Sequence, residues 1–167
     1  MTDEMDATAV TEVREAHAID QGRLAEFLKE ALPETQGSMK LSQFAYGQSN
    51  PTYVVGFDDV EYVLRKQPPG ELLPSAHQVD REFRVQKALS EAGYPVAKQF
   101  LYSDNREIVG TPFYVMERMQ GRVFKDTSLP DCSPEHRAEM YKSLAETLAQ
   151  LHTFSPAELG LEDFGRP

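Results

Sequence analysis

An α+β fold, a five-stranded antiparallel sheet with a flanking helix followed by a linker and one further helix, is what the order of patterned segments predicts. Three observations carry this. Stretches rich in aromatic and β-branched residues recur five times, at Met39 to Tyr46, Thr52 to Phe57, Val60 to Lys66, Val96 to Tyr102 and Phe113 to Met119. One helix-patterned segment, carrying Ala76, Val79, Phe83, Leu89 and Ala92, interrupts them after the third. A second helical run, Tyr141, Leu144, Leu148 and Leu151 at spacings of three and four, follows the last.

Each element has a local cause. Residues 1–19 show no sustained period and few large apolar side chains, so they are expected to be a flexible acidic N-terminus. Order should begin near Asp20, where Leu24, Phe27, Leu28 and Ala31 share one helical face and Pro33 ends the run. Asp58-Asp59 separates the second and third strands by a hairpin turn. Gln67-Pro68-Pro69-Gly70 breaks the pattern, Ser75 can cap the next helix, and Gly93 with Pro95 is its stop signal. The polar turn Ser103-Asp104-Asn105 joins the last two strands. Gly121 interrupts the chain, and Ser133-Pro134 has the cap and first-turn proline of a helix start. The expected layout from these patterns is 1–19 flexible, 20–119 a sheet with its flanking helices, and 120–167 a linker and one further helix.

Size and charge narrow the partners. With 167 residues, 40% of them hydrophobic, the chain is sized for one cored domain. It carries 27 acids against 17 bases, and the first thirty residues account for half of the net charge of -10, which argues against nucleic acid as a partner. No apolar run approaches the roughly 20 residues needed to span a bilayer, and the acidic stretch Met1 to Val10 is unlike a signal peptide. A soluble, cytoplasmic protein without membrane contact is expected. The lone Cys132, in Asp-Cys-Ser-Pro, has no neighbouring ligand at a metal spacing and reads as a bystander thiol.

Several residues have the chemistry to hold a nucleotide. In the turn Gly47-Gln48-Ser49-Asn50-Pro51-Thr52, a glycine lets the backbone approach an anion, and Ser49 and Asn50 can add polar contacts. It is not G-x-G-x-x-G, and alone it reads as an ordinary hairpin loop. In Val63-Leu64-Arg65-Lys66 adjacent side chains point to opposite faces, so one cation alone can face a ligand. Arg65 is the choice, because a guanidinium stays charged and binds phosphate oxygens in a fork. The bland reading makes both solvated edge charges. On the next helix, Asp80-Arg81-Glu82 offers an acid to pair with Arg65, and Glu82, beside core-facing Phe83, is the better placed. Its bland alternative is an exposed charge paired with Arg84 or Lys87.

Taken together, GQSNPTY from Gly47, YVLRKQPPGELLPSAHQVDREF from Tyr62 and GTPFYVMERMQGRVF from Gly110 resemble the aminoglycoside-phosphotransferase and choline-kinase-like family. Within it they most resemble the kinase-like domains fused ahead of some acyl-CoA dehydrogenases, and the match runs from about Leu41 to the chain end. The resemblance implies a protein-kinase-like N-lobe, a hinge and one C-lobe helix, with ATP as cofactor. It puts Arg65 at the phosphate-clamping position, Glu82 as its partner and Gly47, Gln48, Ser49 and Asn50 near the phosphates. It also implies a hinge at Glu117-Arg118-Met119, where the Glu117 carbonyl and Met119 amide hold the adenine edge, and Met116 just behind the pocket.

The same resemblance implies that the catalytic Asp and the magnesium ligands belong to a C-lobe segment with a His-Gly-Asp loop, which this sequence does not contain. No catalytic or metal residue is therefore assigned, and Mg2+ is expected only with the C-lobe. Asp163-Phe164-Gly165 spells a magnesium motif but reads as a surface turn, and His152 reads as structural, closing its helix. The implied function is the ATP-binding portion of a small-molecule kinase acting on a hydroxylated metabolite such as a hydroxyacyl-CoA. The alternatives are a non-catalytic nucleotide-binding or interaction module derived from a truncated kinase, and an α+β domain with no nucleotide site. The apolar stripe Leu144, Leu148 and Leu151 is expected to fold back on the chain, to self-associate, or to belong to a longer protein.

Overall fold

The computed structural model describes residues 9–45, 50–73, 76–124 and 126–165. Among these described residues, six strands form one sheet: β1 (Val10–Thr11), β2 (Lys40–Phe44), β3 (Thr52–Gly56), β4 (Glu61–Lys66), β5 (Gln99–Ser103) and β6 (Phe113–Glu117). Four α-helices accompany it: α1 (Gln21–Ala31), α2 (Val79–Glu91), α3 (Arg106–Val109) and α4 (Pro134–Leu151). The strand order is β1-β2-β3-β4-β6-β5, and every neighbouring pair is antiparallel.

The extra strand corrects the expected five, and it lies in the segment expected to be flexible. Val10 pairs with Phe44 and Thr11 with Gln43. Side chains of the sheet then anchor the stretch between β1 and α1: Gln43 Oε1 accepts from the Arg14 amide at 3.1 Å, Gln43 Nε2 lies 2.7 Å from His17 Nδ1, and Tyr53 donates its hydroxyl to the His17 carbonyl at 2.8 Å. A two-residue strand and the 3-10 turn Glu15–His17 have no period to read, so their order comes from these long-range contacts.

α1 starts where expected, with the Asp20 carboxylate accepting from the Arg23 amide at 3.0 Å. It lays Leu24 and Leu28 on one sheet face, against Tyr53 and Val55 of β3, Tyr62 and Leu64 of β4, and Phe113 and Val115 of β6. That face is the core. Burying one such side chain contributes about 1.5–3 kcal/mol, so this layer carries most of the packing energy. The hairpin at Asp58-Asp59 is closed by the Phe57 amide donating to the Val60 carbonyl at 2.8 Å.

Several boundaries differ from expectation, among them the start of β5, at Gln99 rather than Val96. Between β5 and β6 the polar turn gives way to α3, capped by Asn105, which accepts from the Glu107 amide at 3.0 Å, and ended by Gly110 at φ 84°. Its Ile108 and Val109 join the core, which four residues cannot announce by periodicity. α2 begins at Val79 after Gln78, not near Ser75; the residue at that expected cap lies outside the described residues. His77 is the cause, because its φ of 55° is incompatible with a helix running through it. β6 ends at Glu117 rather than Met119.

α4 is capped by Ser133, whose hydroxyl accepts from the His136 amide at 3.2 Å. The stripe does not fold back: Leu144 and Leu148 are 64% and 51% exposed, and Leu151 is half-buried. Among the described residues no helix is long and apolar enough to cross a membrane.

Tyr53 supplies a test of the core. It is fully buried, and burial pushes its pKa up to about 12. Because it would ionise near pH 10 in the unfolded chain, its contribution is complete below pH 10 and is lost as pH rises through about 12. Tyr53→Phe is expected to lower stability by about 1 kcal/mol at neutral pH through the lost hydrogen bond. In urea melts at pH 8 and pH 11 the variant should lose less stability between the two than the parent; an equal loss would refute the assignment.

Candidate functional site

Strand alternation divides the cations. Pairing of Thr52 with Arg65 and of Arg65 with Tyr114 sets these three side by side on the sheet face away from α1. Lys66 points the other way. It is 5% exposed, donates its Nζ to the Val109 carbonyl at the end of α3, and burial lowers its pKa. Neither residue is a solvated edge charge, and Arg65 is the one facing α2.

Four elements meet at Glu82. Its Oε2 accepts from Arg65 Nε at 2.8 Å and from the Tyr114 hydroxyl at 3.0 Å, and its Oε1 accepts from Asn50 Nδ2 at 3.0 Å. Arg65 Nη1 reaches Thr52 Oγ1 at 3.4 Å, while its Nη2 donates to no group among the described residues. Both members of the pair are about one-third exposed, which leaves the guanidinium accessible while partly desolvating the charge pair. Burial, with the Glu82 charge second, pushes the Tyr114 hydroxyl up to about 12, so it stays protonated and donates at neutral pH. The bland pairings are taken elsewhere: Arg84 binds Asp163 and Lys87 approaches Glu91 at 3.9 Å.

Beside Arg65 opens a cleft of about 390 Å³, within the range of small-molecule sites. Phe44 of β2, Val63 of β4 and Met116 of β6 give it an apolar floor, and the segment Glu117 to Gly121 forms its far wall. The end of β6 is pinned there, the Glu117 amide donating to the Lys98 carbonyl at 2.8 Å and Glu117 Oε2 accepting from the Lys98 amide at 3.1 Å. Arg118 pairs with Glu61. The Met119 amide donates to no group among the described residues, and its side chain is 61% exposed.

The structure thus brings Arg65, Met116, Glu117 and Met119 to one cleft, with Glu82 behind Arg65. Asn50 is 4% exposed and turned into the protein, holding Glu82 rather than lining the cleft. Gly47, Gln48 and Ser49 lie outside the described residues. Sequence reasoning missed Phe44, Thr52, Val63 and Tyr114. Strand alternation from Arg65 and Met116, combined with the pairing of β3, β4 and β6, is the signal that would have found most of them.

The two decoys resolve as structure. Asp163 forms a two-point ion pair with Arg84, at 2.6 and 2.9 Å, and the Arg81 guanidinium lies 3.9 Å from the centroid of the Phe164 ring. His152 follows α4 as its exposed cap. Among the described residues no three His, Cys, Asp or Glu are grouped to hold a metal ion, and Cys132 is a half-buried free thiol.

The sequence profile of the phosphotransferase enzyme family matches residues 40–167. A crystal structure from Ralstonia eutropha, described as that of a candidate aminoglycoside phosphotransferase, superposes with a TM-score of 0.78 at 33% identity, covering 90% of this chain and 43% of that one. Acyl-CoA dehydrogenase family member 11 of Gallus gallus is 48% identical over 160 residues, 93% of this chain and 20% of the relative. Its Rattus norvegicus counterpart is 48% identical over 167 residues, 97% of this chain and 21% of the relative. The chain spans about a fifth of the length of these curated relatives.

A double-mutant cycle measures the ion pair. Arg65→Ala, Glu82→Ala and the double variant are expected to give a coupling of about 1–2 kcal/mol in unfolding free energy, above a surface pair and below a fully buried one. Strict additivity would mean that the pair does not form in solution.

Proposed function

This chain belongs to the phosphotransferase enzyme family, and from that premise we propose that it is the ATP-binding portion of a small-molecule kinase that moves the γ-phosphate to a hydroxyl of a small metabolite. The observation that carries the reading is the Arg65–Glu82 pair at the edge of the cleft. Phosphoryl transfer gives the protein little covalent chemistry to perform, so positioning and charge stabilisation dominate. Arg65, oriented through Nε by Glu82, presents the remaining N–H groups of Nη1 and Nη2 for phosphate oxygens in a fork. Adenine would lie over Val63 and Met116, reading the Glu117 carbonyl and the Met119 amide, and Gly47, Gln48 and Ser49 would bring polar contacts to the phosphates.

In this reading residues 20–119 hold the nucleotide, and 120–167 supply the linker and a helix that packs within a second lobe. Magnesium neutralises phosphate charge in this chemistry. The described residues do not fit it, since no three His, Cys, Asp or Glu among them are grouped to hold a metal ion. The acceptor is a hydroxylated metabolite, and the acyl-CoA dehydrogenase name of two relatives motivates a hydroxyacyl-CoA. The exposed Leu144 and Leu148 would be covered by that second lobe or by a second copy of the chain. We place the protein in the cytoplasm.

ATP at a few millimolar is expected to raise the melting temperature by about 2–4 °C, and Arg65→Ala to abolish the shift. No shift in the parent chain would leave an α+β domain without a nucleotide site. A shift with no phosphate transfer, once the chain is joined to the portion that succeeds it in its relatives, would favour a non-catalytic nucleotide-binding module.

A further inference from the structure

Three donors converge on Glu82, and two of them belong to residues with no place in the ligand chemistry. We infer that Tyr114, Asn50 and His77 are positioning residues that lock the Glu82 carboxylate toward Arg65, with His77 fixing the Asn50 amide in the one orientation that helps. The inference rests on the reading of Arg65 as a phosphate-binding group.

An asparagine amide can turn by 180°, and at Asn50 the two orientations are opposites. With the NH2 toward Glu82 it donates; with the oxygen there, acceptor would face acceptor. His77 Nδ1 lies 2.7 Å from Asn50 Oδ1, while Asn50 Nδ2 lies 3.0 Å from Glu82 Oε1. The jointly satisfied arrangement has Nδ1-H donating to Oδ1, so the NH2 is directed at the carboxylate. Nδ1 carries a proton in the imidazolium and in one neutral tautomer, and either form can make this donation. Asn50 is 4% exposed, which keeps water from substituting for it.

The backbone is bent to achieve this. His77 sits at φ 55°, left-handed for a residue other than glycine, and it is held there by Gln67 Nε2 donating to its carbonyl at 2.9 Å. This conformation sets the ring against Asn50 Oδ1. On the other oxygen, Tyr114 is 1% exposed and Gln86 Nε2 reaches its hydroxyl at 3.4 Å, which orients its proton toward Glu82. The titratable groups facing Glu82 are therefore Arg65 from β4, Tyr114 from β6 and, one residue removed, His77 from the loop before α2.

The test measures ATP affinity by titration calorimetry from pH 5.5 to 8.5, with circular dichroism of each variant to establish folding. Tyr114→Phe, which removes a hydrogen bond to the Glu82 carboxylate, and His77→Ala, which frees the Asn50 amide to turn, should each weaken ATP binding about three- to tenfold. Asn50→Asp gives the more telling result. It sets a second carboxylate against Glu82, the two share a proton, and one titrates at raised pH. ATP affinity of that variant relative to the parent should then fall as pH rises, a slope that a merely structural role would not produce. If His77→Ala fails to fold, the Asn50→Asp profile decides. Parent-like affinity at every pH in all three variants, with binding still abolished by Arg65→Ala, overturns the inference and leaves the nucleotide reading intact. Binding retained by Arg65→Ala overturns both.

Discussion

A half-buried carboxylate needs partners, and the need of Glu82 organises this side of the sheet. Three donors reach it from β4, β6 and the segment before β3. Removing any of them leaves part of a charge desolvated without compensation, which costs more than the contact itself is worth when made. α2 contributes only Val79 to the fully buried set, so apolar packing alone does not hold this helix. Its place against the sheet depends on Glu82, together with the contacts of Phe83 with Tyr102 and Tyr114.

The helix is gripped from its other side as well. Glu82 and Gln86, four apart, face the sheet, whereas Arg81 and Arg84, three apart, face the segment after α4. Arg84 hydrogen-bonds the Asp163 carboxylate and holds it below the usual carboxylate range. The pair is exposed, so its worth lies less in energy than in register: with Arg81 over Phe164 and Tyr94 edge-on to Phe154, it sets where α2 lies relative to the chain end. Any ligand that pulls on Arg65 therefore pulls, through Glu82, on a helix with a second attachment 76 to 83 residues away in sequence.

Much of this is legible in the sequence, and the rest fails for identifiable reasons. The core strands, α1 with its Asp20 cap and the Gly93 stop are local patterns, and the structure keeps them. It also keeps the Arg65–Glu82 pair, because strand alternation leaves one cation per face and helix position separates Glu82 from Asp80. β1 and α3 are hidden because two and four residues carry no period. The lead-in reads as flexible because its anchors, Gln43 and Tyr53, lie far along the chain. Asn50 reads as a ligand contact because its loop carries polar side chains; its inward turn depends on His77, and a left-handed histidine has no signature in composition.

What an arginine at position 65 does that a lysine would not emerges from how its donors are arranged. A lysine ammonium on that strand would carry its three donors on one freely rotating nitrogen, with no fixed division between Glu82, Thr52 and the cleft. The guanidinium divides its work by geometry: Nε binds Glu82, Nη1 reaches Thr52, and Nη2 remains for the cleft. Because the guanidinium is rigid, orienting Nε orients Nη2 as well, so the position of Glu82 fixes the attitude of Arg65 beside the cleft. Lys66 cannot stand in, since it lies on the opposite face and is committed to the Val109 carbonyl. The constraint on Glu82 and the choice of arginine thus act together: the order that Tyr114 and Asn50 give the carboxylate reaches the far end of Arg65 because the guanidinium is rigid.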